Sequence, residues 1–233
     1  MPDNPGNTPD PNPPPDKTPK PRAEQDQNIA NAITEASELL ALAQSDPEIG
    51  PMMAAKGYDA AELQNGVALQ AAAQDTFNAR QQAIAKRDAA SEAFDSAEKA
   101  ARRTYADFRE TARIKFSAAT DRSALGLNGA VPKDLQKFIT TATASYKTAQ
   151  GAAYAAVLAK AGFPAADIAA QLDAVKKLGE LHSKFDAADG DAQAATDARD
   201  TAHDAMAKWV SEYRRLAKIA LRGKPGLLAK LDV

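Results

Sequence analysis

The chain contains no cysteine and only two histidines, His182 and His203. The first absence excludes disulfides, thiolate metal sites and cysteine nucleophiles, and it suits a reducing compartment. The second leaves serine nucleophiles without an evident imidazole partner. Aromatic residues make up 6% of the sequence, so a core must be assembled largely from small side chains. No apolar run is longer than Ala152 to Ala159, far too short to span a bilayer. Charge of neither sign dominates: 29 Lys and Arg stand against 31 Asp and Glu, a net charge of -2. No global field therefore draws the chain to nucleic acid or anionic lipid. Met1 is followed by Pro, Asp and Asn, with neither the basic start nor the apolar stretch of a secretory signal. The expected compartment is the cytoplasm, with non-classical export as the other route. There is no phosphate loop, no Gly-x-Ser-x-Gly, no His-Glu-x-x-His and no dinucleotide fingerprint.

What the sequence does have is alanine, roughly a quarter of all residues, and a repeat. Asp95 to Phe116 returns as Asp200 to Leu221, 105 residues later and without a gap. Asp95, Ala97, Ala100, Arg109, Ala112 and Ile114 recur as Asp200, Ala202, Ala205, Arg214, Ala217 and Ile219. Phe108 recurs in kind as Tyr213. The same offset carries Gly57-Tyr58-x-Ala-Ala-Glu-Leu63 onto Gly162-Phe163-x-Ala-Ala-Asp-Ile168. Alanine matches come cheaply in such a composition, so the glycine, aromatic and charged matches carry the argument for a duplicated helical unit. Alanine favours helix and lets helices approach closely, but each buried alanine removes little apolar area from water.

Residues 1 to 22 hold nine of the fourteen prolines. Proline at this density excludes helix and central strand, so the stretch reads as an extended, polyproline-like or disordered arm. Pro2/Pro5 and Pro11/Pro14 have Pro-x-x-Pro spacing and make a docking arm for a protein partner the sharper alternative. From 23 to 233 the reading is one helical bundle, with repeat 1 at about 23–129 and repeat 2 at about 130–233. Ile29, Ile33, Ala36, Leu40 and Ala43 step by three and four along a first helix, Ala23 to Ser45. Gly57 stops a short extra turn, and Asp59 with Glu62 has capping-box spacing. From Ala60 to about Ala119 there is no proline and only Gly66, which predicts one helix of up to about 60 residues, about 90 Å if straight. Gly126 and Gly129 suit its left-handed close. In the second repeat Pro132 suits a first turn, and Leu135 to about Lys160 reads as one helix with Phe138, Ile139, Ala142, Tyr146, Val157 and Ala161 on its face. The next long helix runs to Leu221, with a kink or split expected at Asp189-Gly190-Asp191. Leu227 to Leu231 is an apolar tail that folds back. Nothing alternates like a strand. The expected fold is all-α: an elongated antiparallel four-helix bundle of two duplicated hairpins, each a short helix and a long one, related by a pseudo-twofold.

Candidate chemistry is sparse. Asp200-x-x-His203 places a carboxylate and an imidazole three apart on a helix, and its repeat partner is Asp95-x-x-Glu98. Two such pairs face each other in carboxylate di-metal bundles, but those use longer glutamates and a second histidine. The pairs read instead as solvated faces, and no catalytic, cofactor-binding or metal residue is assigned. Basic residues gather toward the ends of both long helices: Arg102, Arg103, Arg109, Arg113, Lys115 and Arg122, then Lys208, Arg214, Arg215, Lys218, Arg222 and Lys224. A helix C-terminus favours cations without any partner. Tyr105, Phe108, Trp209 and Tyr213 read as anchors of the core.

The run from Trp209 to Leu221, Trp-Val-x-x-Tyr-Arg-x-Leu-Ala-x-Ile-Ala-Leu, resembles uncharacterised bacterial proteins built from tandem long helices, as does Leu125-Gly-Leu-x-Gly129. The resemblance covers the helical part and implies a helical bundle; it supplies no activity, cofactor or site. The expectation is a non-enzymatic structural or interaction protein that self-associates as a scaffold or assembly subunit. The alternatives are a module binding nucleic acid or anionic surfaces through the basic helix ends, and a carboxylate metal-site enzyme.

Overall fold

The computed structural model describes residues 22–231, and their regular structure is entirely helical. The described residues form α1 (Arg22–Ser45), α2 (Ile49–Ala54), α3 (Ala60–Lys115), α4 (Ala119–Ala124), α5 (Leu135–Ala149), α6 (Ala152–Lys160), α7 (Ala165–Ala220) and α8 (Pro225–Lys230). The expectations for the proline-rich arm lie outside the described residues. Two compact units are present. The first takes the described residues up to Gln74 and from His203 onward, and the second is Asp75–Ala202. The long helices α3 and α7 contribute to both units.

In the first unit, the α1 face expected from its spacing is buried: Ile29, Ile33, Ala36, Leu40 and Ala43. Leu39, Leu40 and Ala43 join Ile49 and Met53 of α2, Tyr58, Leu63 of α3, and Trp209, Tyr213, Ala217 and Leu221 of α7 in one core. Gly57 turns the chain at φ +92°, a conformation that costs other residues a steric clash. Tyr58 N–H then bonds back to Met53 O at 3.1 Å. Asp59 caps α3, its Oδ1 accepting from Ala61 and Glu62 N–H, both at 3.0 Å. The Glu62 side chain does not complete a capping box; it accepts from Trp209 Nε1 at 2.7 Å. Helix α8 folds back as expected, burying Leu227 and Leu231 in the same core.

Asp46 closes the turn into α2 and ties α8 to it. Its Oδ1 accepts from Glu48 N–H (2.9 Å) and Ile49 N–H (3.2 Å), and its Oδ2 accepts from Lys230 Nζ (2.8 Å). The Lys230 hydrogen bond above all, then the two backbone N–H groups, hold the Asp46 carboxyl down to about 2. A depressed carboxyl pKa contributes stability that is present above the ordinary value and is lost as pH falls through the folded one. Thermal midpoints of wild type and Asp46→Asn should therefore differ at pH 5 and converge between pH 4 and 2. A difference that persists undiminished at pH 2 would contradict this role.

In the second unit, α3 and α7 run antiparallel. Phe108 meets Phe163 edge-on at 5.7 Å, Phe94 meets His182 at 5.2 Å, and Arg80 Nε donates to Thr196 Oγ1 at 3.2 Å. The core gathers Tyr105, Phe108, Phe138, Tyr146, Leu158, Ile168 and Leu178. Several expectations are corrected here. Helix α3 ends at Lys115; Arg122 Nε bonds Phe116 O at 3.0 Å, and α4 follows as a separate turn before Gly126 and Gly129, both left-handed. The helix expected from Leu135 to Lys160 is two helices, parted at Gln150 and Gly151. Ala149 and Leu158 are both fully buried in one core. Nine residues apart on one continuous helix, they would face opposite sides, because each residue turns about 100°. The break brings them to the same side and leaves Val157, the expected core residue, 39% exposed. Pro132 lies outside α5, whose N-cap is Asp134, accepting from Lys137 N–H at 2.9 Å. Helix α7 continues through Gly190 without a break.

Candidate functional site

The paired acidic motifs do not build a metal centre. Asp200 bonds its neighbour Arg199, Glu98 bonds Arg102 at 2.7 Å, and His203 Nδ1 lies 3.5 Å from Asp204. Asp95 is exposed. No group of three or more His, Asp or Glu among the described residues could hold a metal ion.

The arginines of the first repeat have an intramolecular use that sequence alone does not disclose. Arg109, 3% exposed, donates from one terminal nitrogen to Leu127 O (3.0 Å), Asn128 O (3.3 Å) and Gly129 O (2.9 Å). Arg113 donates to Leu127 O and Gly129 O. Arg102 donates to Pro132 O (2.6 Å) and Lys133 O (2.9 Å), and its guanidinium lies 4.4 Å from the centre of the Phe138 ring. Three arginines spread over about three turns of α3 thus hold the segment between α4 and α5 by its carbonyls. That segment has no regular structure, so its backbone groups need such partners. In the second repeat, Arg214 reaches Glu35 at 3.6 Å and Lys224 reaches Glu48 at 2.6 Å.

The expected anchors are anchors. In the first unit Trp209 is 6% exposed, stacked on Tyr213 (5.4 Å, 19°) and edge-on to Tyr58 (5.5 Å, 73°). It lies flat over Gly66: a Cβ built there would be 2.5 Å from an indole carbon, so any other residue at 66 collides with the ring. Burial raises the Tyr213 phenol to about 12, with Tyr58 adding to the shift. In the second unit Tyr105, Phe108, Phe138 and Tyr146 form an aromatic group, with Tyr105 and Ser145 hydroxyls bonded at 2.8 Å.

One concave feature within the second unit has mostly apolar walls, with Lys177 as the single charged residue of its lining. A cavity of about 400 Å³ is lined by Ala97, Ala101, Thr104, Tyr146, Gln171 and Leu181, among others. Tyr146 is fully buried and its hydroxyl has no hydrogen-bond partner; Gln171 Oε1 is likewise buried without one. Burial, followed by the nearby Tyr105 and Asp107, pushes the Tyr146 phenol well above its ordinary range, so it stays protonated and can donate or accept. Sequence reading named Tyr146 only as a face residue of its helix and did not single out Gln171.

No family model, curated protein or solved structure matches the chain. Among the described residues, no helix is long and apolar enough to cross a membrane.

Proposed function

We propose that the chain is a non-enzymatic, self-associating helical protein, an assembly subunit or scaffold built from two copies of one hairpin in a pseudo-twofold four-helix bundle. The observation that carries the self-association is a pair of exposed isoleucines. Ile114 is 73% exposed and Ile219 52% exposed, and they occupy the same position of the two repeats. The recurrence of an exposed isoleucine at one register of both repeats supports a contact with another chain. The reading of a duplication is supported by matched details. Gly57 and Gly162 both take φ +92°, and each is followed by an aromatic residue whose N–H bonds five residues back, to Met53 O and Leu158 O. Phe108 and Tyr213 are both fully buried, as are Ala112 and Ala217.

A chain with two equivalent sticky positions can close into a dimer through one of them or extend head to tail through both. Sedimentation velocity on wild type and on Ile114→Lys/Ile219→Lys tests this. The wild type should sediment as more than a monomer, and the double variant as a monomer with unchanged helical circular dichroism. Equal association of both proteins would contradict the assignment. The alternative of an anionic partner has less support, since Arg102, Arg109, Arg113 and Arg122 already donate to carbonyls of their own chain.

A further inference from the structure

We propose that the groove between α1 and the C-terminal part of α7 is the seat of the chain's own proline-rich arm, residues 1–21. It would hold the arm's carbonyls as α3 holds those of the segment before α5. The inference rests on the duplication in the reading above and does not need self-association. The 105-residue offset pairs Ala106, Arg109, Glu110 and Arg113 of α3 with Ser211, Arg214, Arg215 and Lys218 of α7. In the second unit those α3 residues line a hollow together with Gly129, Ala130 and Val131, part of the segment whose carbonyls Arg109 and Arg113 bind. In the first unit their α7 equivalents line a groove of about 370 Å³, completed by Ala32 and Glu35 of α1 and by Met206, Ala207 and Val210. Among the described residues, α1 and α7 alone supply this lining, and no irregular segment takes the place of Gly129 to Val131. The basic side chains are correspondingly open. Arg109 is 3% exposed under its segment, whereas Arg215 and Lys218 are exposed. Arg214 lies 3.6 Å from Glu35, beyond hydrogen-bond length.

Topology, reach and chemistry name the occupant. The segment held in the second unit is the one that leads into α5, and the offset carries α5 onto Ala30 to Gln44 within α1. What leads into α1 is residues 1–21, so the arm is the counterpart of the clamped segment. Helix α1 starts about two turns ahead of Ala30, so the arm has to double back along it. It has the length to do so. Arg22, the first residue of α1, is about 15 Å along the helix from Ala32, while 21 residues in polyproline geometry span about 65 Å. The arm holds nine prolines, and a run of that kind has no internal hydrogen bonds to occupy its carbonyls. Prolyl rings suit a floor of Ala32, Met206, Ala207 and Val210. Charge agrees as well. Residues 1–16 carry Asp3, Asp10 and Asp16 and no lysine or arginine, and the groove has Arg215 where the first repeat has Glu110.

Lysine acetylation by acetic anhydride, read residue by residue with mass spectrometry on the full chain, tests the docking. Lys208, exposed and outside the groove, is the internal reference. Relative to Lys208, Lys218 should react severalfold more slowly in the wild type than after deletion of residues 2–21, and the difference should shrink as salt rises. Asp3→Lys/Asp10→Lys/Asp16→Lys keeps the full chain and should release Lys218 as the deletion does, even if the deletion variant does not fold. Protection should survive dilution, because arm and groove belong to one chain. Equal Lys218 reactivity in the wild type and both variants, or protection that is lost on dilution, overturns the proposal. An unprotected Lys218 in a wild type that sediments as an oligomer removes the arm and keeps self-association; a protected Lys218 in a monomer does the reverse. If Arg109→Ala frees the segment from Leu125 to Val131 while Lys218 is unprotected, the clamp of the second unit stands and only its counterpart falls.

Discussion

Trp209→Ala should destabilise the protein by about 3–5 kcal/mol, the usual range for deleting a buried large aromatic. Several losses combine. The side chain is 6% exposed, so nearly all of its apolar area returns to a void. Its stack on Tyr213 and its edge contact with Tyr58 disappear. Gly66 has no side chain to relax into the gap. Glu62 loses its indole donor and keeps only Asn65 Nδ2, at 3.2 Å. Trp209→Phe keeps an aromatic face and should recover more than half of the loss. Urea unfolding followed by circular dichroism measures both. An unchanged midpoint for Trp209→Ala would mean that the ring does not hold the first unit together.

Arg109→Ala should cost about 2–3 kcal/mol, through lost hydrogen bonds from a charged donor to buried carbonyls. Arg113 continues to serve Leu127 O and Gly129 O, which limits the damage. Asn128 O loses the donor it had in Arg109. The effect should also be local: amide exchange should accelerate between Leu125 and Val131 before it does so at Phe138. Arg109→Lys retains the charge without the planar fork and should fall between wild type and alanine. A variant as stable as wild type, with the same exchange in that segment, would contradict the carbonyl clamp.

These two residues show how unevenly the sequence discloses the structure. Trp209 was legible as an anchor, because a single large ring in an alanine-rich helix has few other uses. The first long helix was legible too, since nothing between Ala60 and Lys115 interrupts helix except Gly66; the second was legible in its start after Gly162 but not in its continuity through Gly190. The work of Arg109 was hidden, because the carbonyls it binds belong to Leu127, Asn128 and Gly129, and a carbonyl leaves no mark in a sequence. The break at Gly151 was hidden for a related reason. In a run as alanine-rich as Ala149 to Ala161, the burial of Leu158 in place of Val157 leaves a periodicity too faint to show that the helix changes face. Likewise Ile114 and Ile219 recur in sequence, but their exposure is a property of the fold.

Light scattering coupled to size exclusion, run on the full chain from low to high micromolar concentration, should give a mass that exceeds the monomer and rises or plateaus at a multiple of it. A single monomeric mass at every concentration would contradict self-association.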